Sequence, residues 1–429
     1  MGLPPNALYE DLYAFALAKA QVERYCNYCL TSMVQLKKCS ACKKLYYCSL
    51  ECQRTDWKLH KFECKAIKAH NEVPLDSVRL VMRIIGLINK QDYGEVKESF
   101  IPGGSRSFLT LLDHPDQQDP DSQKFLTQFM HFAQPPLPNP ELVEKIYRKI
   151  SINSFSVSNS TGNPIGIGMC IKLSAANHSC KPITRVCYRN RIAMLVPVGS
   201  RIPTSLEDAC HSYIDELMPV AMRRAALKQK YNFDCECEGC LDEERNSRME
   251  AFACGNCGSG WIRNREISNC GACGWQMTRD HYELCRTAEE AAIASRPKLE
   301  NNSIPLATRK ILCEKLLDLF QNTLHDLNVH RMPVLRCLFV CSLAETNLSL
   351  ALDAGVSLLK IMMGYQSPTD PAVLYHKYQL ATLFLATELN ADCIRLLEEI
   401  REPFETIFTK DSVVVRNIYS TIIKARSST

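Results

Sequence analysis

Apolar positions change their rhythm along the chain. From Leu284 onward they recur at helical spacing in long blocks, "LCRTAEEAAIA", "TRKILCEKLLDLFQNTL", "LRCLFVCSLAETNLSLALDAGVSLLKIMM", "AVLYHKYQLATLFLATEL" and "IRLLEEIREPFETIF", joined by short polar links. This predicts amphipathic helices stacked as antiparallel pairs. Between Asn153 and Ile202 the rhythm breaks into short runs of Val, Ile and Tyr separated by Asn, Gly and Pro, which predicts short β-strands. Here "GIG" lacks the third glycine and the following helix of a phosphate loop, so Gly166 and Gly168 are expected in turns. Further upstream, "PLDSVRLVMRIIGLI" sets Val78, Val81, Met82 and Ile85 on one face, predicting an amphipathic helix capped at Asp76. "SLECQRTDWKLHKFEC" has no Gly or Pro and reads as two short helices, whereas "DHPDQQDPD" and "QPPLPNP" read as loops.

With 429 residues, 46% of them hydrophobic, the chain is long enough for two or three domains. It has no run of eighteen apolar residues and no signal-peptide pattern, and Asn6 stands where myristoylation at Gly2 would want Ser or Thr. The expectation is an intracellular protein, cytoplasmic and nuclear. A net charge of +4 is too small to mark the whole chain as a nucleic-acid binder, and no basic recognition helix stands out, although local basic patches remain open. In a reducing compartment the 23 cysteines read as metal ligands rather than disulfides.

Their spacing carries that reading. Cys26/Cys29 and Cys39/Cys42 are C-x-x-C knuckles, and Cys48/Cys52 and His60/Cys64 are four apart, one helical turn. Eight ligands make two closed four-coordinate sites, which are structural zinc sites rather than catalytic ones. Spacing alone leaves open whether the pairs combine sequentially or interleave. Downstream, Cys235, Cys237 and Cys240 supply three thiolates that need a fourth, for which Cys180 of "NHSC" is the candidate. Cys254, Cys257, Cys270 and Cys273 form two C-x-x-C-G knuckles of a zinc ribbon. Of Cys285, Cys313, Cys337, Cys341 and Cys393, only Cys337 and Cys341 have a partner at metal spacing, and that pair lies in an apolar run and is expected in a core. The lysines around the first eight ligands read as a solvated face, with phosphate contact as the alternative.

The pattern C-x2-C, C-x2-C, C-x3-C, H-x3-C, with its "YCSLECQ", resembles a MYND finger. The resemblance implies interleaving, with Cys26, Cys29, Cys48 and Cys52 on one ion and Cys39, Cys42, His60 and Cys64 on the other, and a partner that presents a proline-containing peptide. "NHSC", "SYIDELM" and "YNFDCECEGC" resemble the second half of a SET domain with its post-SET cysteines. Together these motifs resemble the SET- and MYND-domain (SMYD) family of protein lysine methyltransferases over nearly the whole chain.

That family implies an α+β fold. A split, β-rich SET core carries an inserted MYND finger and is followed by a post-SET zinc site and a C-terminal α-helical domain like tetratricopeptide repeats, here without a clean thirty-four-residue period. The expected boundaries are 1–25 for the N-terminal SET segment, 26–64 for the finger, 65–150 for a helical insert and 151–232 for the SET core. The post-SET site takes 233–243, the ribbon 250–277 and the helical domain 281–429. The implied activity is methyl transfer from S-adenosylmethionine to a lysine of a histone or non-histone protein. Asn153, Ser174, Asn177, His178 and Phe233 match cofactor-binding positions, and Tyr213 matches the tyrosine beside the transferred methyl.

Three departures stand against the motifs. The family holds the cofactor's methionine part with a G-x-G turn before the finger, and none occurs among the twenty-five residues before Cys26. "LEDACHSY" replaces a pattern close to G-E-E-L-T-x-S-Y, and Ile183 replaces an Asn. The rival expectation is therefore a zinc-binding adaptor that recruits proteins through its finger and helical domain without catalysis.

Overall fold

A computed structural model describes residues 7–32, 34–88, 98–101, 104–114 and 121–427, with the backbone alone for 98–101 and 104–105. The chain opens on strands β1 (Leu8–Asp11) and β2 (Ala14–Leu17), then enters the cysteine-rich finger with the short hairpin β3 (Lys37–Lys38) and β4 (Tyr46–Tyr47). "SLECQRTDWKLHKFEC" forms one helix rather than two, α1 (Leu50–His70). Ser49 caps it by accepting from the Cys52 N–H, nothing breaks it, and left-handed Asn71 ends it. Helix α2 (Asp76–Ile88) follows. It buries Val78, Val81, Met82 and Ile85 as expected but also Arg79, Leu80, Arg83, Ile84 and Leu87, because α1, β2 and the later helix Pro140–Asn153 cover it on several sides. It is thus the expected amphipathic helix, with its polar face, Arg79 and Arg83, buried as well.

The insert continues with hairpin β5 (Glu98–Ile101) and β6 (Gly104–Arg106), then α3 (Ser122–Phe132) and α4 (Pro140–Asn153). The strands β7 (Ser154–Ser158), β8 (Pro164–Met169), β9 (Thr184–Arg189) and β10 (Ile192–Pro197) form two antiparallel sheets, ordered β2-β8-β7 and β1-β10-β9. The segment before the finger is therefore one edge of each sheet. Gly166 and Gly168 lie inside β8 and not in turns: a Cβ on Gly166 would stand 2.2 Å from the Ala16 carbonyl of the neighbouring strand.

Past the sheets come α5 (Val220–Tyr231), α6 (Glu238–Leu241) and α7 (Glu243–Met249), then the ribbon hairpin β11 (Phe252–Ala253) and β12 (Trp261–Ile262). Seven helices follow, α8 (Arg279–Glu300), α9 (Leu306–Phe320), α10 (Arg331–Ala344), α11 (Leu348–Tyr365), α12 (Pro371–Ala386), α13 (Asn390–Phe408) and α14 (Val413–Ser427). Each packs on the next in chain order, a tetratricopeptide-like stack, and Cys285, Cys313, Cys337, Cys341 and Cys393 are all buried in it. The stack is tied to the sheets by Arg185 on β9, which bridges Glu216 and the α12 cap Asp370 at 2.6 Å each. Burial alone would raise the Glu216 carboxyl, but this guanidinium brings it down to about 2.

Candidate active site and metal centres

Among the described residues four cysteine-rich clusters bring metal-ligating atoms together, Cys26/Cys29/Cys48/Cys52, Cys39/Cys42/His60/Cys64, Cys180/Cys235/Cys237/Cys240 and Cys254/Cys257/Cys270/Cys273, and a fifth group, Glu250, Glu289 and His330, holds no cysteine. The finger's pairs interleave. Thiolates 2.3 Å from a tetrahedral zinc stand about 3.8 Å apart. Here Cys29 and Cys48 are 3.5 Å apart, Cys180 and Cys240 3.6 Å, Cys254 and Cys273 3.6 Å, and Cys257 and Cys270 3.9 Å, so the donor sets fit zinc. His60 turns Nε2 toward Cys42 (3.6 Å) and donates from Nδ1 to Glu63 (2.9 Å), the usual arrangement behind a zinc-bound imidazole.

Glu63 is the hub of a buried network that no local pattern marks. Arg79 and Arg83 donate to its two oxygens at 2.8 and 2.7 Å, Arg83 also forks onto Asp56, and Tyr47 donates to Asp56 at 2.8 Å. Arg79 further reaches the Leu17 carbonyl of β2 (2.7 Å), so the finger is joined to the SET core through charge. Burial opposes ionisation of Glu63, and the two guanidiniums overcome it and hold the carboxyl well below the usual range.

The six residues matched to cofactor and catalytic positions, Asn153, Ser174, Asn177, His178, Tyr213 and Phe233, all line one cavity of about 880 Å³. Asn153 closes α4 and donates to the carbonyls of Leu112 and Lys149. Ser174 sits on a single 3-10 turn, Leu173–Ala175, whose start is fixed by Glu10 of β1: its carboxylate accepts from the N–H groups of Ile171, Lys172 and Leu173 at 2.6, 2.9 and 2.9 Å. The Asn177–Ser179 and His211 backbones pair as a short parallel bridge, which sets Tyr213 against His178.

Tyr213 N–H donates to His178 Nδ1 (3.0 Å), so the proton of the neutral imidazole is on Nε2, facing Cys180 Sγ at 3.1 Å. Tyr213 O–H donates to the Ala176 carbonyl at 2.6 Å. Burial pushes the Tyr213 phenol up to about 12 and the imidazoles of His178 and His211 down to about 4 and 3, so all three are uncharged at neutral pH. Phe233 follows left-handed Asn232, the cap of α5, and lies 6.1 Å from the His178 ring, while Tyr231 lies 5.0 Å from Tyr213. Arg106, His114, Phe155, His211 and Tyr231 also line the cavity. Phe155, His211 and Tyr231 adjoin residues picked out by motif. Arg106 and His114 come from the insert, where no motif points to them. From the segment before the finger, Glu10 supports the cavity wall from behind through its contacts to residues 171–173.

Residues 26–64 match the MYND finger family. The chain is 62% identical over 427 residues to "SET domain-containing protein 14" of Caenorhabditis elegans, covering all of both chains. It is 25% identical over 341 residues to the mouse "Histone-lysine N-methyltransferase SMYD3", spanning 76% of this chain and 70% of that one. To the human "N-lysine methyltransferase SMYD2" it is 29% identical over 239 residues, about half of each chain. Full-length similarity to a SET-domain protein, the MYND match and the similarity to SMYD enzymes agree with the architecture, and the chain belongs to the SET- and MYND-domain (SMYD) family.

Proposed function

We propose that the protein is a lysine methyltransferase that binds S-adenosylmethionine in the 880 Å³ cavity and acts on a lysine of a partner protein. The observation that carries this reading is the convergence of Asn153, Ser174, Asn177, His178, Tyr213 and Phe233, spread over eighty residues of sequence, on one cavity wall. When bound, the cofactor supplies an electrophilic methyl on a sulfonium. The chain's own part is positioning: aromatic faces of Phe233 and Tyr231 suit a purine, and the neutral imidazole of His178 fixes Tyr213. Because Tyr213 gives its proton to Ala176, its lone pairs face outward to accept C–H contacts from a polarised methyl. Among the described residues no Asp or Glu lines the cavity as a base for the substrate amine.

The finger completes the reading as a docking module for a proline-containing segment. Leu50 and Trp57, two turns apart on α1, leave 66% and 40% of their surfaces exposed.

Calorimetric titration of zinc-loaded protein with S-adenosylmethionine tests the cofactor, and transfer of labelled methyl to histone and non-histone proteins tests the reaction. Tyr213→Phe is expected to lower kcat by roughly tenfold to a hundredfold, about 1.4 to 2.7 kcal/mol, with cofactor affinity little changed. No heat at millimolar S-adenosylmethionine with folded, zinc-loaded protein rejects the enzyme and leaves the adaptor.

A further inference from the structure

We infer that Arg106 is the counter-charge for the α-carboxylate of the cofactor's amino-acid tail, which makes the Arg106–Ser174 edge of the cavity a carboxylate subsite. The inference rests on the methyl-donor reading above and names a residue that lies in none of the motifs behind it.

Arg106 ends β6, and its side chain reaches the cavity from the insert, opposite in sequence to every motif that marks the site. Nη1 donates to Ser174 Oγ across a long 3.4 Å, while Ser174 gives its own proton to the Ile171 carbonyl. The serine oxygen therefore faces the guanidinium with lone pairs only. A guanidinium carries five N–H donors in a fork that matches a carboxylate, and here one long hydrogen bond engages it. Among the described residues lining the cavity, Arg106 is the one Lys or Arg, and no Asp or Glu joins it.

Among the carboxylates with described side chains, the one whose field reaches Arg106 is Glu10. Both of its oxygens are already engaged by the three N–H groups of residues 171–173. Among the described side chains no carboxylate is in contact with this half-buried cation where it faces the cavity, and burial pushes its pKa below the usual guanidinium range. An anion that enters the cavity relieves that cost. The same guanidinium also acts on the Tyr213 hydroxyl, so an unneutralised Arg106 would repel a sulfonium brought to Tyr213. A ligand that carries a carboxylate on a short tail beside its sulfonium solves both problems at once, and one without that tail does not.

The test uses full-length, zinc-loaded protein and two adenosine thioethers. S-adenosylhomocysteine carries the amino-acid tail and 5′-methylthioadenosine lacks it. Calorimetry of Arg106→Gln is expected to show affinity for S-adenosylhomocysteine falling by roughly tenfold to a hundredfold, the loss of one charge-assisted pair, with methylthioadenosine changed by less than about twofold. Arg106→Lys, which keeps the charge and loses the fork, is expected to recover part of the loss. Equal weakening of both ligands in Arg106→Gln would make Arg106 a structural support and overturn the inference, as would no change in either. If wild-type protein binds methylthioadenosine and Arg106→Gln leaves both affinities intact, the subsite fails while the cofactor reading stands. If wild-type protein binds neither thioether, the cofactor reading itself fails and takes the subsite with it.

Discussion

The MYND finger and the zinc ribbon are built from the same C-x-x-C knuckle, yet they sit in the fold in opposite ways. In the finger's second site all four ligands are buried, and His60 leans on Glu63, which leans on Arg79 and Arg83 from α2. In the ribbon Cys257 and Cys273 are exposed, each followed by a glycine at positive φ (66° and 73°) with open space where a side chain would be. The ribbon's attachments are lighter: His281 of α8 reaches the Ala253 carbonyl at 3.1 Å and meets Trp275 edge-on at 5.3 Å, and Phe252 pairs with Leu324. A zinc site built on the same knuckle thus serves as a joint between two parts of the core in one place and as a closure for a surface loop in the other. What the metal contributes beyond its own knuckles depends on what stands behind the ligands.

The sharpest way to break this comparison is to remove the hub. Asp56 and Glu63 balance Arg79 and Arg83, and deleting one member of a buried, balanced set leaves an uncompensated charge. Glu63→Gln is expected to cost about 3 to 5 kcal/mol, and hydrogen exchange should open across α1 and α2 together. The corresponding change beneath the ribbon, Asn264→Ala, removes one hydrogen bond to Glu289 and is expected to cost about 1 kcal/mol. Similar costs for the two variants would mean that the finger is no more firmly joined to its surroundings than the ribbon is.

Metal removal should separate the two by rate. The four cysteine-rich donor sets fit one zinc ion each, and a chelator reaches a site through ligands that open to solvent. The ribbon ion is expected to leave first, roughly tenfold or more ahead of the finger's buried site, a difference of at least about 1.4 kcal/mol in barrier. Followed with a metal-sensing dye, release should show a fast phase of one ion that Cys257→Ser abolishes. A fast phase that survives this substitution would place the labile ion elsewhere.

The same contrast explains what could be read in advance. Cysteine pairs announce themselves because two thiolates on one knuckle must lie close in sequence, and the cavity's Asn177, His178 and Tyr213 lie in short motifs. The Glu63 network has no such local sign: its partners on α2 are sixteen and twenty residues away, and Arg79 and Arg83 resemble the polar side of an amphipathic helix until α1 and α4 are laid over them. "GIG" reads as a turn once a phosphate loop is set aside, and only the close approach of β2 to β8 accounts for glycine inside the strand. Arg106 and His114 were invisible for a third reason, since the hairpin and loop that carry them become part of the site only once the insert folds back over β7.

The smallest expected effect turns on two buried glutamates that the two modules shift in opposite directions. Burial opposes ionisation of both. At Glu63 two guanidiniums and His60 outweigh it, whereas at Glu289 on α8 the hydrogen bond from Asn264 and the single Arg286 do not, and the carboxyl is raised. Glu250, across from it, is raised as well, by burial first and then by Glu289. The signs follow from proton counting. Glu63 contributes stability that is present above the ordinary carboxylate range and is lost only as pH falls through its depressed folded value, so it is silent between pH 5 and 7 by that order of reckoning. Folded Glu289 holds its proton longer than the unfolded chain does, so its region loses stability as pH rises from the ordinary carboxylate value through the raised one. Glu289→Gln should therefore remove that pH dependence and raise stability at neutral pH by less than about 1 kcal/mol, because it relieves an ionisation cost yet weakens the Arg286 contact. Melting temperatures of wild type and variant from mild acid to neutral pH measure it: the two curves should meet at the acid end and diverge toward neutrality. Parallel curves would mean that Glu289 titrates like an exposed carboxylate, and that the ribbon's support is wetter than its burial implies.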